Sequence, residues 1–189
     1  MSYSGMWFLV PAPAAAIERH GPRLRALLDG HAAEPGNAAL RRRWERGEGF
    51  GADELEALVS GPFGWDVNVN GLYDAWNDCG TEIGPALCVS ARNRYPVLGL
   101  AHALGPERLA GLPGWFGDLV LTPEEVRAAL PAVEGVFDLD GTARAAAKER
   151  AYEVLGDSDD VPALFDAVVP VWRAAVEAGR GMIGAQLIP

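Results

Sequence analysis

The first apolar run has no gaps. Met6 to Val10 read MWFLV, bulky and partly β-prone, and Pro11 follows. This predicts a short buried strand ended by the proline. The period then changes. Leu24, Leu27 and Leu28 stand at i, i+3 and i+4, which predicts a helix from about Pro22 to Asp29, closed by Gly30 and interrupted upstream by Gly21-Pro22. Ala38 to Arg46 reads as a helix with Asn37 as its N-cap. Ala52 to Val59 reads as a short one with Leu55, Leu58 and Val59 inward. Residues 60 to 71, rich in Gly, Pro and Asn, predict a loop with an extended piece around Val67 to Val69. A helical turn is expected from Leu72 to Asp78. Thr81 to Arg94 fits strand or helix, Pro96 to Leu104 is helical, and 112 to 118 (LPGWFGD) is a turn carrying two aromatics.

The last third carries stronger signals. Thr122-Pro123-Glu124-Glu125 predicts a helix start with Thr122 as cap, Pro123 at the first helical position and Glu125 closing a capping box. Pro131 predicts an end near Val133. Thr142 to Leu155 is Ala-rich and helical. Val161, Leu164, Phe165, Val168, Trp172, Ala175 and Val176 lie on one helical face, with a kink near Asp166 from Pro170 and with Gly179 as the residue after the C-cap. MIGAQLI (182 to 188) then reads as a strand. A chain with an apolar strand near each end can pair the two in one sheet. The pattern predicts an α+β fold: a helix-rich single domain, residues 1 to 189, with a small sheet containing the N- and C-terminal strands.

Composition narrows the function classes. The 189 residues are 49% hydrophobic and 22% charged, enough apolar material for a core. The formal net charge is -10. Such a chain repels phosphate backbones and anionic membranes, so neither nucleic acid nor a membrane is expected as a partner. A basic protein partner or a small molecule is compatible. Lys148 is the only lysine, which together with the Ala, Gly and Pro load reads as the codon bias of a GC-rich bacterial genome. The start lacks a basic segment and a long apolar run, no stretch approaches a membrane span, and a cytoplasmic location with Cys79 and Cys88 reduced is expected.

Residues 137 to 142 read FDLDGT. The string resembles the opening motif of the haloacid-dehalogenase-like phosphohydrolases, which would make Asp138 a nucleophile and Asp140 an acid/base beside Mg²⁺. Residues 156 to 160, GDSDD, resemble that family's acidic metal motif. Only one helix can fit between the two strings, whereas a single strand-crossover-strand unit takes roughly 30 residues. The expected roles are therefore local: a turn before a helix capped by Thr142, and Asp159 or Asp160 capping the next one. No metal site and no cofactor are expected.

A second concentration lies between residues 65 and 94. Trp65, Asp66, Asn68, Asn70, Tyr73, Trp76, Asn77, Asp78, Arg92 and Arg94 are the candidate ligand- or partner-binding residues. Aromatics supply rigid contact area and polar groups orient a ligand. Cys88 sits among apolar neighbours and reads as buried, Cys79 follows the charge of Asp78, and His102 reads as a satisfied core histidine, so no Cys/His catalytic pair is expected.

LTPEEV (121 to 126), Trp172-Arg173-Ala174-Ala175 and Gly179-Arg180-Gly181 before a final strand resemble the YfbM-like family of uncharacterised bacterial proteins. The likeness covers roughly the last 70 residues, and less of the first 30. It implies a compact cytosolic α+β domain and no chemistry. The functional expectation is a non-enzymatic binding or immunity-type protein acting through residues 65 to 94. The alternatives are a small enzyme with its pocket there, or a Mg²⁺-dependent phosphohydrolase-like site at FDLDGT.

Overall fold

The computed structural model describes residues 4 to 63, 69 to 79 and 84 to 187. The chain runs β1 (Ser4–Ala12), α1 (Ala14–Ala33), α2 (Pro35–Glu45), α3 (Ala52–Val59), α4 (Val69–Asp78), β2 (Leu87–Arg92), α5 (Pro96–Leu109), β3 (Leu119–Leu121), α6 (Pro123–Phe137), α7 (Gly141–Leu155), α8 (Val161–Asp166), α9 (Val168–Glu177) and β4 (Gly181–Leu187). The four strands form one antiparallel sheet in the order β2-β1-β4-β3. The fold is α+β, helix-rich, with the terminal strands β1 and β4 paired at the centre of the sheet. Met6 lies opposite Leu187, and Ala12 opposite Gly181.

Register fixes which side chains share a face. Trp7, Leu9, Val89 and Gln186 belong to one face; Met6, Phe8, Cys88 and Ser90 belong to the other. The first face is shut: Trp7, Leu9 and Val89 have no exposed surface. The second is closed beside β4, where Gly21 of α1 comes close to Val120. It opens toward β2, where Phe8 is half-buried and Cys88 is exposed. Period-2 alternation thus overturns the expectation of a buried Cys88.

Prolines break fewer elements than the pattern predicts. α1 runs through Pro22 and Gly30, and α6 runs through Pro131 to Phe137. Both prolines are exposed, so water can reach the carbonyl left without its N–H partner. Pro11 lies past the last β1–β2 pair, Leu9 with Leu87, and β1 continues to Ala12 against β4. Near two further prolines, Pro106 and the exposed Pro170, the chain does break. The expected long last helix divides at Ala167 into α8 and α9, and α5 is interrupted at Gly105 (φ 70°) before Pro106. β3 has no counterpart in the sequence reading, because three residues carry no period.

Caps follow the chemistry, with shifted owners. Thr122 and Glu125 form the expected capping box. α2 starts at Pro35, and Asn37 lies inside it, its amide donating 2.9 Å to the His31 carbonyl. Asp140, not Thr142, caps α7, accepting from the Ala143 N–H at 2.8 Å. Gly179 (φ 60°) closes α9 as expected: its N–H donates to the Val176 carbonyl at 3.1 Å, and the Arg180 N–H to Ala175 at 2.9 Å.

A polar node is sealed between the sheet and the end of α3. The Trp115 indole N–H donates to the Leu58 and Ser60 carbonyls at 3.1 and 3.0 Å. The Gln186 amide donates to Val59 and Phe116 at 2.8 and 3.1 Å, and Trp7 donates to Gly117 at 3.1 Å. The last carbonyls of α3, which a helix leaves unpaired, are thereby satisfied by side chains. Asp118, fully buried, accepts from the Gln186 N–H at 2.5 Å, and its other oxygen lies against Gly61, where a Cβ would overlap it. Burial pushes this carboxyl well above the ordinary range, and the Gln186 N–H only partly opposes that.

Candidate binding face

Of the expected binding residues, Trp65, Asp66 and Asn68 lie outside the described residues. Asn70, Tyr73, Trp76, Asn77 and Asp78 are brought together on α4, a ten-residue helix where a loop and a single turn were expected. Leu72, Ala75 and Cys79, at i, i+3 and i+7, are buried, and Gly71 lets α4 approach the Arg23 guanidinium of α1. The opposite side presents Asn70, Tyr73, Asp74 and Asn77 to solvent. Val69, expected to be extended, begins this helix.

Tyr73 is 40% exposed, the one large apolar side chain so exposed among the described residues. It meets Trp76 edge-on, with ring centroids 5.5 Å apart, and Trp76 leans on Phe8 at 5.0 Å. Phe8 lies opposite Cys88 in the sheet, so the aromatic cluster continues onto the open sheet face. The Trp76 indole N–H is withdrawn from solvent and meets no acceptor among the described residues. Asp78 closes one end. Arg19 and His20 of α1 both come within 2.7 Å of the same carboxylate oxygen, and the His20 and Arg19 hydrogen bonds hold Asp78 below the usual carboxylate range.

Arg92 and Arg94 do not join this face. Arg94 lies beyond β2, where its guanidinium pairs with Glu56 and, at 3.3 Å, with Asp53. It clamps the β2–α5 turn to α3. Arg92 ends β2 and lines a separate cleft of about 560 Å³ with Ser4, Ser90 and residues 155 to 160. Phe8, Arg19 and His20 lie outside the stretch that the sequence singles out, and Cys88 lies within it but was expected to be buried. Phe8 was legible in principle, since Met6 and Phe8 alternate with Trp7 and Leu9. The arginine and histidine were not, because a tertiary contact carries them.

The other chemistry-bearing residues have structural partners. Asp140 is the α7 cap, and the Asp138 carbonyl accepts from Arg108 at 3.0 Å. FDLDGT follows a helix rather than a strand. Lys148 and Arg144 pair with Asp166 at 2.6 and 2.9 Å; burial favours the protonated acid there, but the two cations hold it below the ordinary value. Asp160 precedes α8 without capping it, and accepts from Ser90 instead. Among the described residues no group of three or more His, Cys, Asp or Glu is placed to hold a metal. Burial raises both thiols. Arg180 partly opposes this at Cys79 while Asp78 adds to it, and Asp160 adds to it at Cys88. Neither cysteine is activated as a nucleophile. His102 is exposed and pairs with Glu153 at 3.0 Å, not a core histidine as expected, because its position on α5 faces α7 at the surface.

No helix among the described residues is long and apolar enough to cross a membrane. No family model matches the chain, and no curated protein or solved structure matches it.

Proposed function

We propose that this is a cytoplasmic, non-enzymatic binding protein that recognises its ligand through α4 and the adjoining open sheet face. One observation carries the reading: the Tyr73–Trp76–Phe8 cluster reaches the surface between exposed amides and the clamped Asp78 carboxylate. Rigid aromatics lose little entropy on contact, and the exposed amides beside them can exchange hydrogen bonds with a ligand. The net charge of -10 favours a partner with basic character around that contact. An enzymatic reading draws no comparable support, since the acidic strings act as caps and hooks and both thiols are shifted away from reactivity.

A photo-reactive phenylalanine analogue placed at Tyr73 tests the proposal in cells, with the same group at exposed Ala39 of α2 as control. The expected result is a discrete adduct from position 73, absent from position 39 and lost when Asn77→Ala is added. A thermal-shift screen with amino acids and basic hexapeptides covers small ligands; a shift that Trp76→Phe removes supports the face. Equal labelling at both positions, together with no shift from any probe, contradicts it.

A further inference from the structure

β2 is an edge strand, and its outer edge is occupied in an unusual way. The Ser90 N–H, directed away from β1, donates to Asp160 Oδ2 at 2.8 Å, and the Ser90 hydroxyl donates to the same oxygen at 2.8 Å. The Ser90 carbonyl accepts from the Ser158 hydroxyl, also at 2.8 Å. Two side chains of the α7–α8 loop therefore supply one acceptor and one donor, spaced as the main chain of a neighbouring strand would supply them. The flanking residue Cys88, two positions along, directs its main chain to the same edge and is exposed.

We infer that residues 158 and 160 are a built-in strand mimic that shuts the self-complementary edge of β2 against pairing with a second copy of this chain. Ser90 donates and accepts on one edge, which is what the residue at the two-fold of an antiparallel β2–β2 pair must do. Ser90 of one copy would exchange both bonds with Ser90 of the other, an isologous contact. A two-fold at that point sets Cys88 opposite Arg92, so no like charges face each other across the pair. With the mimic in place, each Ser90 group is already bonded and the pairing is closed. Exposed regular edges are templates for association, and natural sheets blunt them with charge and with covering loops. Asp160 and Ser158 do both here. The inference is independent of the α4 reading, since it concerns the edge of β2 and not the aromatic face.

The test is the solution mass of three proteins by light scattering after gel filtration: wild type, Ser158→Ala/Asp160→Ala, and that pair with Ser90→Pro added. Proline at 90 removes the one N–H that the edge offers there and leaves the β1 ladder intact, because that N–H does not face β1. Wild type is expected at the monomer mass, the double variant at twice that mass, and the triple variant back at monomer. A folded double variant that stays monomeric overturns the inference, as does a dimer that persists with Ser90→Pro or a wild type already dimeric. If the double variant does not fold, Asp160→Asn takes its place, with amide exchange at Ser90 as the second readout. Faster Ser90 exchange than in wild type, together with concentration-dependent mass, supports the edge guard; unchanged exchange overturns it.

Discussion

Two tryptophans show two uses of the same side chain. Trp115 is buried, its N–H shared between two carbonyls at the end of α3, its ring met edge-on by His31 and Phe116 at 5.1 and 5.5 Å. Trp76 is half-buried, its N–H unmet among the described residues, its ring held by Phe8 beneath and Tyr73 beside it. The first ties a helix end to the sheet; the second is held in place without being used. An indole with every group engaged adds to stability, whereas one whose withdrawn N–H goes unmet adds less. The contrast sets the folding role of the Trp115 region against the contact role proposed for α4.

The largest expected effect falls on the buried side. Trp115→Ala removes a core ring and the side-chain donor to the Leu58 carbonyl, while the Ser60 carbonyl keeps the His31 imidazole, and should lower the unfolding free energy by about 3–5 kcal/mol. Urea denaturation checks this; a loss no larger than that of an exposed residue would break the contrast.

Next is Asp118. Replacing it with Ala leaves the Gln186 N–H without an acceptor, a loss of about 1–3 kcal/mol. Its pH dependence is more telling. The folded-state pKa lies above the unfolded value of about 3.9, so the folded chain keeps a proton that the unfolded chain releases. The stability from the neutral acid is complete below the unfolded pKa and is lost as pH rises through the folded one. Asp118→Asn keeps the shape and should remove that decline. Parallel denaturation curves for wild type and Asp118→Asn from acid to alkaline pH would contradict the assignment.

A smaller effect separates the acidic strings from metal chemistry. Asp140→Ala should lower stability by about 1 kcal/mol through loss of the α7 cap. Asp138→Asn should melt as wild type does, with Mg²⁺ present or absent. A Mg²⁺-dependent rise in melting temperature seen only in wild type would revive a phosphohydrolase-like site.

Sequence pattern exposed the parts of this fold whose cause is local. The Thr122–Glu125 box, the Gly179 closure and the terminal strands depend on near neighbours, and all were legible. The same locality misled at Pro22 and Pro131, because a proline in the pattern does not show whether the helix continues through it, as at Pro131, or divides, as ahead of Pro170. β3 is too short to have a period. At the candidate face, Tyr73, Trp76, Asn77 and Asp78 were legible as neighbours because they share one short helix, whereas Arg94 was not separable from them, since its engagement with Glu56 joins residues 38 positions apart. Asp118 was read only as part of a turn, and nothing local announces the Gln186 N–H or the Gly61 backbone that surround it.

The account rests on α4 aromatics that are dispensable for folding. Its most direct test is the unfolding free energy of Tyr73→Ala/Trp76→Phe, measured beside Trp115→Ala under the same conditions. The double variant should lose no more than about 1.5 kcal/mol, since Tyr73 is exposed and Trp76→Phe keeps a ring in a half-buried site. A loss comparable with that of Trp115→Ala would make the cluster part of the core and contradict the binding face.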